Sequence, residues 1–397
     1  MTHSSLHIRK FATWVIWLVV VLLYGCTEPL FIDVSGSDSV LVVDATITNE
    51  LKNHEILLSR SSQSDTEEPI PERSANLSVE VDNQQTYTFT EIAPGRYKSD
   101  MAFAAQSNNA YELRITTAEG KNYRSKSIQL PQATQIDNVY AELTQTDTGI
   151  DGVNINVDSF DPTGNSVYYR YKYEETYKVI APEWRPWELV LANEDPPIAT
   201  DALHTEEKRV CFATEKSNSI ILTKTTDSSE DRITSFAVRF LAADNFIISH
   251  RYSILVRQFV LNEDTYEFYE QLNEFSESES IFSQIQPGFI IGNIFPEDGS
   301  DERVVGIFEV SSVSERRVFF NYVDFFPEEA LPPFVDECRR SLATNSEVLG
   351  QAVKAQSVSL AGFLDNGDGS VTYIIQPRVC GDCTALGTNV EPDFWEE

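Results

Sequence analysis

"SVYYRYKYEETYKVI", Ser166 to Ile180, is a run of alternating character. Tyr169, Tyr171 and Tyr173 fall on one side of an extended chain, and Tyr168, Arg170, Lys172 and Glu174 fall on the other, because successive strand side chains point to opposite faces. A helix cannot keep a period of two, so the stretch predicts a long β-strand with an aromatic face and a mixed, charged face. The turn sequence Asp161-Pro162-Thr163-Gly164 introduces it. A chain built around such a strand is expected to be mainly β.

The pattern extends in both directions. Upstream, "SVLVVDATIT", "HEILLSR", "ANLSVEVD", "QTYTFTEI", "GRYKSD", "AYELRITT" and "NYRSKSIQL" are short segments rich in β-branched and aromatic residues. Asp82-Asn83, Pro94-Gly95 and Glu119-Gly120 punctuate them as turns. They predict an Ig-like or transthyretin-like β-sandwich over residues 39–131. Residues 134–397 predict a second β-sandwich-like domain, opening with "IDNVYAEL" and "GVNINVDSF". Its later strands are expected at "RVCFAT", "SIILTKT", "SFAVRFLAAD", "HRYSILVRQFVL", "ERVVGIFEVSSV", "RRVFFNYV" and "SVTYIIQP". One helical insertion is expected near 262–285. Asn262 caps it, Glu263 and Asp264 sit in its positively polarised first turn, and Tyr266, Tyr269, Leu272 and Phe275 form its apolar stripe. Ala181 to about Glu207 reads as a long loop interrupted by proline.

The N-terminus places the chain in a compartment. A basic Arg9-Lys10 precedes the apolar run Phe11 to Leu23, 13 residues long. A membrane-crossing helix needs roughly 20 residues, so the run reads as a secretory signal peptide over 1–25. "LYGC" then puts Cys26 at the junction in the pattern of a bacterial lipobox. Cys26 becomes the lipidated first residue, and 26–38 a tether. Several acyl chains suffice as an anchor, since each buried methylene contributes about 0.8 kcal/mol. The expected location is the outer membrane, with its face left open.

Four cysteines remain: Cys211, Cys338, Cys380 and Cys383. In an oxidising compartment they predict two disulfides rather than a metal or redox centre. His54, His204 and His250 are not at metal-ligand spacing to them, and no cofactor is expected. A direct Cys380–Cys383 bridge would close a strained ring. One of that pair is therefore expected to bond Cys338 and the other Cys211, which tie down a C-terminal extension.

Without residues 1–25 the chain carries 28 basic and 62 acidic residues, a net charge of −34. Such a surface repels phosphate backbones, which excludes nucleic-acid partners. The sequence holds no Gly-x-Ser-x-Gly elbow, His-Glu-x-x-His helix, phosphate loop or dinucleotide fingerprint, so no catalytic residue is assigned. "LDNGDGSVTY" lacks the alternating oxygen ligands of a calcium loop and reads as a hairpin turn. Trp184 and Trp187, stiffened by Pro182 and Pro186, are the candidate ligand-binding residues, presenting aromatic faces to a sugar or a protein.

Several stretches together resemble lipoproteins of the domain-of-unknown-function 4249 family from Bacteroidota. They are the lipobox followed by "SVLVVDATITNE", then "PGRYKSD", "YELRITTAEGKNYRS", "VCFATEKSNSIILTKTTDSSEDRI", "YSILVRQFVLNEDTYEFYEQL", "VVGIFEVSSVSERRVFF" and the ending "CGDCTALGTNVEPDFW". The resemblance implies an envelope lipoprotein with a β-sandwich N-terminal domain, often encoded beside a TonB-dependent outer-membrane transporter. It brings no catalytic residues. The expected function is non-enzymatic: an accessory or ligand-binding partner of such a barrel, with a small-molecule, glycan or peptide ligand. The alternatives are a glycan or peptide hydrolase using carboxylates, and an adhesin or envelope-structural protein.

Replacing Cys26 with alanine is expected to abolish incorporation of an alkyne-tagged fatty acid and to release the protein from the membrane fraction. Label retained by the variant would remove the lipobox reading.

Overall fold

The computed structural model describes residues 39–61, 69–82, 84–277, 290 and 292–397. The expected signal peptide, Cys26 and the expected tether lie outside the described residues, as does 278–285 of the expected helical insertion. No helix among the described residues is long and apolar enough to cross a membrane.

The protein is mainly β. The first nine strands are β1 (Leu41–Thr48), β2 (Glu55–Arg60), β3 (Ile70–Pro71), β4 (Asn76–Val81), β5 (Gln85–Ala93), β6 (Arg96–Ser99), β7 (Ala110–Thr116), β8 (Asn122–Ser125) and β9 (Ile128–Gln129). The middle of the chain gives β10 (Ile136–Gln145), β11 (Asp151–Phe160), β12 (Tyr168–Ile180), β13 (Trp187–Glu194), β14 (Pro197–Leu203), β15 (Val210–Lys216), β16 (Ile221–Lys224), β17 (Arg232–Ala242) and β18 (Arg251–Leu261). Helix α1 (Glu263–Glu277) follows, then β19 (Ile294–Pro296), β20 (Val304–Asn321) and the short α2 (Tyr322–Phe325). The C-terminal part holds β21 (Ser341–Ala343), α3 (Ser346–Lys354), β22 (Val358–Asp365), β23 (Val371–Pro377) and the single turn α4 (Arg378–Gly381).

One sheet runs through both halves, in the order β15-β12-β18-β20-β1-β2-β6-β5-β4-β7-β8-β19. Strand β20 is where the halves meet. Its residues Val304 to Ser311 pair in parallel with Leu41 to Thr48 of β1, and Ser312 to Asn321 then pair antiparallel with β18. "ERVVGIFEVSSV" and "RRVFFNYV", expected as two strands, are thus one continuous strand. Nothing between them supplies turn chemistry; Ser314-Glu315-Arg316-Arg317 contains no Gly, Pro, Asn or Asp. Where β1 stops, Asn49 takes over its role, its side-chain oxygen accepting from the Val313 amide at 2.8 Å.

The first half curls around its own core in a sandwich-like arrangement. Ile47, Ile56, Val79, Tyr97 and Leu113 are fully buried in it, each such side chain contributing about 1.5–3 kcal/mol. This core, expected within 39–131, also takes in Ile294, Val304, Phe308 and Val310 from far later in the chain. Closure comes through Asn293, whose side-chain amide donates to the Phe308 carbonyl at 2.8 Å and accepts from its N–H at 2.9 Å, as a neighbouring strand would. Its own carbonyl accepts from Lys126 N–H at 2.7 Å. Gly306 makes the crossing possible: its φ is +119°, and a Cβ there would lie 1.9 Å from the Val43 carbonyl.

The second half packs β12, β18 and β20 over the three-stranded sheet β10-β11-β17. Both faces of β12 are covered. Tyr169 and Tyr171 are fully buried on the aromatic face, and Arg170 and Glu175 are buried as well. Helix α1 starts as its sequence indicates, with Thr265 N–H donating to the Asn262 side chain at 2.9 Å. It buries Tyr266 and, beside the expected stripe, Phe268.

Two elements depart from expectation. Residues 181–207 are not a continuous loop: "WELVLANE" and "PIATDAL" pair as the hairpin β13-β14. Pro186 and Pro196 mark the start and the turn of that hairpin rather than a run of irregular chain. Helix α3 has no expected counterpart. Asn345 caps it by accepting from the Glu347 and Val348 amides, and β14 and β13 cover it, which compensates for the short length of its apolar face. The cysteines pair as Cys211–Cys383 and Cys338–Cys380.

Glu50, just beyond β1, joins the halves. It accepts from Thr48 Oγ1 at 2.8 Å, from Lys52 Nζ at 2.6 Å and from Arg257 of β18. Burial alone would raise its pKa, but the Lys52 and Thr48 hydrogen bonds and the Arg257 charge bring it down to about 2, from an ordinary 4.5. A lowered folded-state value means the contribution is complete above 4.5 and is lost as pH falls towards 2. The gap in denaturant midpoint between the wild type and Glu50→Gln is therefore expected to be widest at neutral pH and to narrow through that window. A gap of constant size would show that Glu50 does not couple the halves.

Candidate functional site

Where β1, β20, β12 and α1 converge they line a half-open cavity of about 420 Å³. Its apolar wall comes from Val42, Ile307, Phe268 and Leu272, while Asp44, Lys172 and the turn Ser217 to Ser219 bring polar groups to it. The elements explain the placing. Parallel pairing of β1 with β20 sets Val42 beside Val305 and Val43 beside Gly306, and Tyr269 and Leu272 lie three residues apart on one face of α1.

Arg170 lines the cavity and is paired with the fully buried Glu309. Their side chains are 3% and 0% exposed, and one guanidinium nitrogen, Nη2, donates to both carboxylate oxygens at 2.7 Å. The carboxylate also accepts from Ser311 Oγ at 2.6 Å and from the Tyr269 hydroxyl at 2.8 Å. Arg170 lies between two rings, its Cζ 4.6 Å from the Phe259 centroid and 4.5 Å from that of Tyr269. Burial favours a neutral carboxyl, but the Arg170 charge and the Ser311 bond outweigh it and hold Glu309 below the usual carboxylate range. Burial, followed by the Glu309 charge, drives the Tyr269 hydroxyl well above its ordinary value, so it stays a donor. Lys172 has an exposed side chain, yet the protein packed around it and the Arg170 charge lower its pKa. The cavity thus has an apolar wall, an Arg170 neutralised by its partner, and one further acidic and one basic side chain, Asp44 and Lys172. Its shape suits an amphipathic small molecule.

A second recess, of about 190 Å³, lies at the C-terminal sheet between β13, β22, α3 and α4. Trp187 stands on its rim, 43% exposed. Within it Glu188 Oε2 lies 3.0 Å from Lys208 Nζ and 3.2 Å from His204 Nδ1. Across from them Arg378 donates to Asp382 at 2.9 Å and to Gln356 and Thr384 at 2.8 Å each. Burial lowers the pKa of His204, which leaves it neutral at pH 7. Asp382 is held below its ordinary value: burial opposes this, but the Thr384 and Arg378 bonds prevail. Asp382 and Gly381 sit between Cys380 and Cys383, which are bridged to different parts of the fold. A Cβ on Gly381 would come within 2.5 Å of Ser359 Oγ, so the turn is packed tightly against β22.

Trp184 and Trp187, paired in the sequence reading, have separate environments. Trp184 is half-buried, packs on the large core and stacks on His204, with centroids 5.9 Å apart, whereas Trp187 is exposed. Arg170 and Glu309 were missed as a pair. The signal was a lone acid inside "VVGIFEVSSV" and an arginine amid tyrosines, but their contact spans 139 residues. Asp336, Cys338 and Cys380 bring potential metal-ligand atoms within 4.8 Å of one another. Both sulfurs are used in a disulfide and are not thiolates.

A family model described as "Domain of unknown function (DUF4249)" matches residues 27–317. The chain belongs to that family. For this DUF4249 protein the match covers the first core and the junction cavity and ends inside β20. The ending "CGDCTALGTNVEPDFW" and most of the C-terminal recess lie beyond it. No curated protein matches the chain. Among solved structures, a DUF4785 family protein from Legionella pneumophila is similar at 10% identity over 55% of this chain and 51% of that one, about half its length. The TM-score is 0.15, and the likeness carries no argument. Neither description names an enzymatic activity.

Removing one member of a buried pair leaves a charge without its partner, which costs about 3–5 kcal/mol. Arg170→Met is expected to lose about that much in chemical denaturation, and the double variant Arg170→Met/Glu309→Leu to recover most of it. A single-variant loss below about 1 kcal/mol, the size of an exposed pair, would mean the pair does not hold the junction.

Proposed function

We propose that this protein is a non-enzymatic, lipid-anchored component of the outer membrane that binds a ligand in the junction cavity and works beside a TonB-dependent transporter barrel. The observation that carries the ligand part is the cavity itself. At about 420 Å³ it falls in the range of small-molecule sites, roughly 300–1,000 Å³, with a predominantly apolar wall and few polar groups. The buried carboxylate paired with its Arg170 is unsuited to acid–base work. Glu309 is held ionised and accepts from Arg170, Ser311 and Tyr269, whereas a general acid needs a raised pKa and a free approach to its substrate. Among the described residues that leaves Asp44 as the one carboxylate lining the cavity, whereas a carboxylate hydrolase needs a pair, which weighs against that alternative at this site. The lipobox at Cys26 and the resemblance to lipoproteins encoded beside such transporters support the partner.

A tagged full-length protein, pulled down from mildly solubilised outer membranes of its native host, is expected to bring with it one large TonB-dependent barrel in stoichiometric amount by mass spectrometry. Recovery of the protein alone would overturn the transporter partnership and leave a freestanding binder.

A further inference from the structure

The C-terminal recess has a chemistry unlike that of the junction cavity. Its charged groups balance: Glu188 and Asp382 oppose Lys208 and Arg378, and His204 is neutral. A ligand bearing net charge therefore finds no counter-charge there. An apolar ligand fares no better, because covering four charged groups without giving them hydrogen bonds costs several kcal/mol. A metal ion is disfavoured as well, since both carboxylates already hold cations at 2.9–3.0 Å. What remains is a neutral molecule rich in groups that both donate and accept.

Three further observations narrow the class. Trp187 leaves an indole 43% exposed at the rim, where an amphipathic ring gives a large flat contact with little entropy to lose. The acceptors Glu188 and Asp382, the donors Lys208 and Arg378, and Gln356 and Ser359, which do both, surround a space of about 190 Å³. His204 Nδ1 is buried and has no aligned hydrogen-bond partner, although the side chain is only 8% exposed and lines the recess. A pyranose matches these features, with a C–H face for the indole and hydroxyls that switch between donor and acceptor. The walls are also fixed before binding. The Cys211–Cys383 and Cys338–Cys380 bridges anchor both ends of the Gly381-Asp382 turn, and Trp184 backs His204.

We propose that this recess is a binding site for neutral saccharides, with Trp187 as the stacking platform and the Glu188–Lys208 and Arg378–Asp382 pairs as partners for sugar hydroxyls. The site goes beyond the transporter reading and is separate from the junction cavity, so it stands or falls independently of the pull-down.

The test uses the full-length lipidated protein in a detergent without a sugar headgroup. It is titrated with maltotetraose, cellotetraose, mannotetraose and xylotetraose, and with tetragalacturonate as the acidic comparison, by calorimetry and tryptophan fluorescence. Saturable binding of at least one neutral tetrasaccharide is expected, insensitive to salt. Trp187→Ala should weaken it about tenfold, and Trp187→Phe should restore most of it. Trp187 is a rim residue, so both variants should keep the wild-type thermal midpoint; Glu188→Gln gives a second variant that keeps the side-chain shape and should also weaken binding. Absence of binding to all four neutral sugars, undiminished binding in Trp187→Ala, or preference for tetragalacturonate would each overturn the assignment.

Discussion

Strand β20 holds the molecule together because it belongs to two assemblies at once. Its first part gives its hydrogen bonds to β1 and its second part to β18, and the exchange takes place between Ser311 and Ser312. A backbone that changes partner within one strand must have both partners in fixed positions. Around that point the fold places Asn49 as a side-chain substitute for β1, Gly306 where no Cβ fits, and the buried Arg170–Glu309 pair beside it. A buried ion pair is weak support for stability as such, but losing one partner is costly. The pair therefore specifies one arrangement of the two halves rather than adding much to their attraction.

The two recesses follow from the same architecture in different ways. The junction cavity exists because α1 leaves the end of β18 and lies over the strands that meet there. Its wall is apolar where β1 and β20 face the helix, and its base is polar where β12 contributes Arg170. The C-terminal recess is assembled from short elements with little core of their own: a hairpin, a three-stranded sheet and brief helices. Small units of this kind need covalent ties. Here two disulfides supply them, and both reach the single turn that carries Asp382. The Cys-x-x-Cys of the C-terminus is accordingly neither a redox pair nor half of a metal site, because each sulfur is bonded to a distant cysteine.

Much of the fold was legible because its signals are local. The seven upstream segments and the Tyr-rich strand alternate with a period of two, and Asn262 with the stripe of Tyr266, Tyr269, Leu272 and Phe275 marks a helix. The misreadings share a cause. The β13-β14 hairpin looked like a loop because prolines flank and interrupt it, and α3 was passed over because nine residues are too few for a periodicity to stand out. Of the candidate site residues, Trp187 was legible as an exposed aromatic between prolines. Glu188, Arg378 and Asp382 were not, since they are ordinary charges until the fold gathers them.

The sequence by itself determined the β-rich architecture, the strongly acidic composition and the spacing of the cysteines, because composition and period-two patterning act through neighbouring residues. Membership of the DUF4249 family is equally a property of the chain order. Tertiary structure alone decided that the first core would be completed by residues from 294–310, that Arg170 would neutralise Glu309, and that Trp187 would overlook a balanced polar recess while Trp184 packed, half-buried, on His204 and the large core. These facts depend on contacts between residues 20 to more than 250 positions apart, and sequence spacing says nothing about a distance the chain covers only by folding.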